Sequence, residues 1–236
     1  MANWLKNNLP NFLTCTNLGS GIVGIFLLAK FGLAKIHWVE ILVLTAGLAD
    51  FLDGFFARLL KSSSAIGKDL DSLADGVTFG ALPSLVLFLF LEPIFGNLAF
   101  LAALVAVFSA IRLAIFNNDT RQSDKFIGVP TPANGFFIVF LMGYLIQNPE
   151  SISEKWILLG LPLVSAAWLV LPVPLIALKF KNFALKDNWP RYLILLLAIP
   201  ILLVWGKFGI SLTVLLYFAF SILDNFISKN AVQSKG

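Results

Sequence analysis

"ADFLDGFFARLLKSSSAIGKDLDSLADGVTFGALPS", residues 49–84, interrupts a chain that is otherwise mostly Leu, Ile, Val, Phe and Ala. Of the 13 acidic residues in 236, five fall inside this stretch: Asp50, Asp53, Asp69, Asp71 and Asp75. Carboxylates between apolar runs are costly unless something compensates them. Asp50 and Asp53 are three apart and Asp71 and Asp75 four apart, so each pair shares one face of a helix. Ser62, Ser63, Ser64 and Gly67 between them read as a loop that lets two helices run antiparallel and sets the pairs opposite one another. Four converging carboxylates repel strongly without a cation. Hard oxygen ligands in this number suit Mg²⁺, Mn²⁺ or Ca²⁺, and two ions roughly 4 Å apart fit such a set.

The small and basic residues of the stretch serve the same geometry. Gly54 and Ala57 leave room for a nucleotide or a neighbouring backbone. Arg58 follows with the planar fork of donors that meets a phosphate. Asp69 lies off the face of Asp71 and Asp75 and reads as a charge near a helix start.

The solvent for which the chain is built follows from composition. It is 58% hydrophobic and 13% charged with a mean hydropathy of +0.88, against about 25% charged in an ordinary soluble domain. A chain of this length cannot hide that much apolar surface in one soluble core, so an all-α, polytopic integral membrane protein is expected. Trp38, Trp156, Trp189 and Trp205 stand beside the ends of apolar runs, as interfacial rings do. Lone Cys15 excludes an internal disulfide, and neither it nor lone His37 has a partner at metal-ligand spacing.

Eight apolar segments can be drawn, at about 13–30, 37–60, 70–91, 97–116, 130–147, 155–178, 190–206 and 208–226, most of them near the roughly 17–25 residues that cross a bilayer as helix. About eight transmembrane helices are therefore expected in a single membrane domain, 1–236, with a catalytic core over 9–147 and C-terminal helices over 155–227. The first segment reads as a retained helix rather than a cleaved leader, because no small-x-small site followed by a soluble domain appears. With the N-terminus cytoplasmic, 13 of the 17 Lys and Arg residues fall on the cytoplasmic side, the side of the acidic stretch. This places the acidic stretch at the cytoplasmic face, and a bacterial-type inner (cytoplasmic) membrane is the expected location. With no basic domain outside the membrane segments, nucleic acid is not an expected partner.

The pattern Asp50-x2-Asp53-Gly54-x2-Ala57-Arg58-x8-Gly67-x3-Asp71-x3-Asp75 resembles the full motif of the CDP-alcohol phosphatidyltransferase family, with every fixed position matched. The resemblance implies that family's fold, a divalent-metal site formed by Asp50, Asp53, Asp71 and Asp75, Asp75 as the catalytic base, and a CDP pocket lined by Gly54, Ala57, Arg58 and Gly67. It also implies Mg²⁺ or Mn²⁺ as cofactor in a two-metal site, CDP-diacylglycerol as donor, CMP as leaving product, a setting among membrane lipids, and a homodimer. "LPNFLTCTN", residues 9–17, is similar to the family's approach to its first helix, which adds Pro10, Thr14 and Asn17 to the CDP pocket.

"RLAIFNNDTRQSDKFIGVPTPAN", residues 112–134, resembles the acceptor segment of the family's phosphatidylserine-forming branch, departing at Ile115, where most relatives carry Arg. This implies L-serine as acceptor, held by Arg112, Asn117, Arg121 and Thr131. Residue chemistry agrees: Arg with Asn can hold a carboxylate, and Pro130 and Pro132 fix the backbone around Thr131 at a helix start. Glycerol 3-phosphate or an inositol-type alcohol remains the alternative acceptor. A transporter or channel with an acidic cation site is the alternative of another class, although such a site needs neither Arg58 nor a nucleotide-sized gap.

Overall fold

A computed structural model of the chain describes residues 2–62, 65–118, 126–151, 154–176 and 185–233, with side chains described over 8–62, 66–118, 128–151, 154–176 and 188–225. The chain is a bundle of apolar helices. Helix α1 (Ala2–Phe31) reverses through a 3-10 turn, Gly32–Lys35, into α2 (Ile36–Leu60), which packs back along it. Helix α3 (Ala65–Asp75) continues through one π-helical segment, Gly76–Ala81, into α4 (Leu82–Phe95). A second 3-10 turn, Gly96–Ala102, then returns the chain as α5 (Ala103–Asn118). Gly32 and Gly96 sit at φ +57° and +55°, where a residue with a Cβ is strained, and these two positions make the reversals. Helices α6 (Thr131–Gln147), α7 (Gly160–Val170), α8 (Leu185–Trp205) and α9 (Phe208–Gln233) complete the bundle, the last pair joined tightly at Gly206 and Lys207.

Four helical stretches are long and apolar enough to cross a membrane among the described residues, against the eight segments read from the sequence. The difference has a simple origin. Asn8–Leu60 and Ile66–Asn118 are each 53 residues of unbroken helical turns in which a 3-10 reversal replaces a non-helical loop, and Thr131–Gln147 and Lys155–Val170 are apolar but shorter.

The inside-out distribution of side chains marks an integral membrane protein. Along α2 the buried stripe is Val39, Val43, Ala46, Ala49 and Asp53, spaced three and four apart, while Ile41, Leu44, Leu48, Phe51, Phe55 and Leu59 face outward. Large apolar groups on the outside and small ones within is the arrangement that hydrocarbon solvent and close helix packing select. Helix α4 lies at the centre: Leu82, Val86, Leu87 and Leu91 are wholly buried, together with Phe79 of the π segment. Trp38, Trp156, Trp189 and Trp205 are all exposed, as interfacial rings should be.

The sixth apolar segment was expected to run as one helix to 178, but α7 stops at Val170. Pro172 and Pro174 cannot continue it, and the chain instead pairs Pro174–Leu175 (β2) antiparallel with Phe126–Ile127 (β1). This small strand pair is the one β element among the described residues, and it positions the start of α6. Gly128 N–H donates to the Val173 carbonyl at 3.0 Å and Val129 N–H to the Trp168 carbonyl at 3.0 Å.

On the side of the bundle away from the acidic stretch, Glu40 of α2 is buried against Gly143 of α6 and paired with Lys207 at 2.7 Å. That ion pair ties the α8–α9 hairpin to the central helices.

Candidate active site

The turn between α2 and α3 makes the site. Lys61 adopts the left-handed conformation, φ 51°, and Ser62 N–H reaches back to the Ala57 carbonyl at 3.0 Å, a helix-ending pattern that reverses the chain within a few residues. Gly67 therefore does not belong to the loop, as the sequence reading had it; it is already in the first turn of α3. Helices α2 and α3 both pack against α1, and the turn between them brings Asp50, Asp53 and Asp71 together, each offering an oxygen within 4.8 Å of the others. These three carboxylates form a cluster able to coordinate a divalent cation. Asp71 Oδ1 is buried without a hydrogen-bond partner among the described residues, as suits an atom reserved for an ion.

Asp75 is not a member of that group. Asn17 Nδ2 of α1 donates to its Oδ1 at 3.0 Å. Of the four carboxylates expected to converge, three have oxygens within 4.8 Å of one another, and Asp75, as buried as Asp53, lies one helical turn along from Asp71. Helix α1 reaches both the cluster and Asp75. Thr14 Oγ1 donates to Asp53 Oδ2 at 2.6 Å, and the Asn17 carbonyl accepts from Thr78 Oγ1 of the π segment at 3.0 Å. Asn17 thus holds Asp75 rather than standing in the wall of the expected nucleotide pocket.

Beside the cluster opens a cavity of about 210 Å³, lined by Pro10, Asn11, Thr14, Asp53, Gly54, Ala57, Ser62, Gly67, Lys68 and Asp71. Five of the seven residues expected in the CDP pocket, Pro10, Thr14, Gly54, Ala57 and Gly67, are in its wall. Arg58 is not; it is exposed and folds back over Gly54, its Nη1 3.5 Å from where a Cβ on that glycine would stand. Lys68 was missed by the sequence reading, although it adjoins Gly67. Its Nζ donates to the Asn117 carbonyl at 2.8 Å at the end of α5.

The expected acceptor residues divide. Arg112 is buried, 4% exposed, with its guanidinium over the Phe116 ring at 4.9 Å, so it is no surface anchor. Its Nε, and the hydroxyl of buried Thr131, have no hydrogen-bond partner among the described residues. Asn117 does not join them. Its Nδ2 donates to Ser72 Oγ at 2.7 Å, fastening α5 to α3. Arg121 lies outside the described residues.

A helical membrane bundle with a carboxylate cluster beside a cavity at one helix reversal is suited to holding a divalent cation next to a bound ligand. The comparisons then narrow the reading. Residues 7–173 match the model of the CDP-alcohol phosphatidyltransferases. The chain belongs to that family. It is 31% identical over 225 residues to a CDP-diacylglycerol--serine O-phosphatidyltransferase of Helicobacter pylori, covering 91% of this chain and 89% of the relative. The enzyme of that name from Bacillus subtilis is 33% identical over 135 residues, 56% of this chain and 75% of its own length. The one from Methanocaldococcus jannaschii is 31% identical over 162 residues, covering 66% and 71%.

Proposed function

We propose that this protein transfers the phosphatidyl group of CDP-diacylglycerol to the hydroxyl of L-serine, giving phosphatidylserine and CMP. The observation that carries the reading is the cluster of Asp50, Asp53 and Asp71, the last two of which line a cavity walled also by the motif residues Gly54, Ala57 and Gly67. Relatives named for the serine reaction and the acceptor-type segment 112–134 favour serine within the family.

The three carboxylates fit Mg²⁺ or Mn²⁺, in one site or a two-ion site. A divalent cation held there offsets charge on the diphosphate of the donor. This chain's own residues do the rest. Thr14 orients Asp53, and the small faces of Gly54, Ala57 and Gly67 admit the cytidine and diphosphate. Arg58 swings from Gly54 to a donor phosphate. Asp75, fixed through one oxygen by Asn17, accepts the proton of the serine hydroxyl on its other oxygen. The serine oxygen forms a bond to the phosphatidyl phosphorus as the bond to the bridging diphosphate oxygen breaks, and CMP leaves with that electron pair. Arg112 and Thr131 hold the serine.

Lipid tails in hydrocarbon and two water-soluble partners require a site at a membrane interface, and the distribution of basic residues favours the cytoplasmic face. The working unit is a homodimer, as the family resemblance implies. Purified protein given CDP-diacylglycerol with L-serine and glycerol 3-phosphate at equal concentration tests the reading. Phosphatidylserine, identified by mass, with matching CMP release is expected. Preference for glycerol 3-phosphate would refute serine as acceptor, and metal-dependent ion flux without CMP would point to a transporter.

A further inference from the structure

Helix α6 carries a polar residue that neither the motif nor the acceptor reading uses. Asn134 is wholly buried, and its Oδ1 accepts two hydrogen bonds from α7, from Ser165 Oγ at 2.5 Å and from Trp168 Nε1 at 2.7 Å. An indole N–H only donates, so the amide oxygen must face Trp168; the reverse orientation would set N–H against N–H. The indole itself is fixed by edge contacts to Phe137 and Phe218, with ring centroids 4.9 and 5.4 Å away. The orientation of the amide is therefore set by its surroundings, and its Nδ2 is directed away from the Ser165–Trp168 pair.

That Nδ2 has no hydrogen-bond partner among the described residues. A buried amide donor left unmatched is costly, so two hydrogen bonds that hold it in that state are unfavourable unless something else accepts from it. Its neighbours share the condition. Thr131 is one turn earlier on the same face of α6, and its hydroxyl is unpartnered; on α5, Ser109 Oγ and Arg112 Nε, again one turn apart, are unpartnered as well. The two helices meet across a single π turn, because Gly80 abuts Ser109 and the adjoining Phe79 abuts Gly135. A guanidinium N–H, an amide N–H and hydroxyls, with no free carboxylate or carbonyl among them, form a set matched to an anionic group that only accepts.

We propose that Asn134 is a specificity-determining residue for the acceptor alcohol, its Nδ2–H donating beside Arg112 and Thr131 to the acceptor's anionic group, and that Ser165 and Trp168 are positioning residues that fix the direction of that donor. The inference rests on the reading of the protein as a phosphatidyltransferase to a hydroxyl acceptor bearing an acid. A carboxylate, as in serine, and a phosphate, as in glycerol 3-phosphate, share the recognised chemistry, and the product formed by the wild type distinguishes them.

The test uses the purified full-length chain with CDP-diacylglycerol and Mn²⁺, measuring KM and kcat for the preferred acceptor and, separately, KM for the lipid. Asn134→Asp keeps an oxygen for Ser165 and Trp168 while replacing the donor with a like charge, and should raise the acceptor KM about tenfold or more. Trp168→Phe keeps the ring packing but removes the N–H that sets the amide, and should raise it about threefold, with Ser165→Ala alike. The lipid KM should stay within about twofold in all three, a split that a general loss of packing would not give. Acceptor KM unchanged in Trp168→Phe and Ser165→Ala variants that melt like the wild type would overturn the proposal, even if Asn134→Asp failed to fold. A wild type that makes phosphatidylglycerophosphate would refute serine as acceptor, yet the same KM rises toward glycerol 3-phosphate would uphold Asn134. A wild type that makes phosphatidylserine with variants of unchanged serine KM would do the opposite.

Discussion

Thr14 and Asp53 stand 39 residues apart in sequence, and the hydroxyl of the first donates to the carboxylate of the second at 2.6 Å. The first helix thereby sets the rotamer of a carboxylate on the second, so the cluster is a three-helix construction rather than a property of one loop. Thr14→Val, which keeps the shape and removes the donor, should raise the Mn²⁺ concentration for half-maximal CMP release by about tenfold, the usual scale for losing a group that orients a ligand. A metal titration of activity checks this, and an unchanged half-saturation point would show that Asp53 is oriented by other means.

Asp50→Asn, Asp53→Asn and Asp71→Asn each remove one charge from the cluster. CMP release should fall about a hundredfold or more in each, with protein yield and membrane insertion retained. Activity near that of the wild type in any one of them would show that the carboxylates do not act as a unit.

Arg58 and Arg112 should separate donor from acceptor. Arg112→Ala should raise KM for serine about tenfold, with the lipid KM nearly constant, since a buried guanidinium bonded to a carboxylate contributes on that scale. Arg58→Ala should raise the lipid KM instead. Parallel changes in both constants for both variants would contradict the division.

How much of this was legible in the sequence depends on the kind of signal. The membrane class and the all-helical fold could be read because Leu, Ile, Val and Phe dominate the chain and the Trp residues mark the ends of apolar runs. Asp50 could be paired with Asp53, and Asp71 with Asp75, because helical spacing decides which side chains share a face, and the short link between the helices set the two pairs opposite one another. Spacing does not give partners on other helices. Asp75 shares a face with Asp71, yet one of its oxygens is bonded to Asn17, 58 residues away, a contact that spacing along α3 does not reveal. Asn117 has the right chemistry for an acceptor, but its amide is bonded to Ser72, a contact that depends on how α5 lies on α3. The strand pair at 126–127 and 174–175 was hidden because two residues carry no periodicity, although Pro172 and Pro174 were a visible reason for α7 to stop. Asn134 did leave a trace, an amide three residues after Thr131 in an apolar helix, but without its partners on α7 it had no direction.

The Glu40–Lys207 pair predicts a stability effect independent of the chemistry. Lys207→Met leaves a buried carboxylate unpaired and should cost about 2 kcal/mol, less than for a wholly buried pair because Lys207 is half-exposed. Glu40→Gln combined with Lys207→Met should recover much of the loss. Thermal unfolding in detergent measures both, and a single variant melting like the wild type would show that the pair contributes nothing.

The π segment Gly76–Ala81 carries one residue more than an α-helix would use between the acidic end of α3 and the buried core of α4. Each residue of an α-helix advances the face by about 100°, so this surplus acts as a phase shifter between two halves of one continuous rod. Upstream, the phase is locked by what Asp71 and Asp75 must face; downstream, by the packing of Leu82, Val86 and Leu87. Deleting a single residue between 76 and 81 would restore regular winding and leave both halves helical, yet rotate one against the other. Such a deletion variant would have the right secondary structure by circular dichroism and a carboxylate cluster turned out of register with its own core.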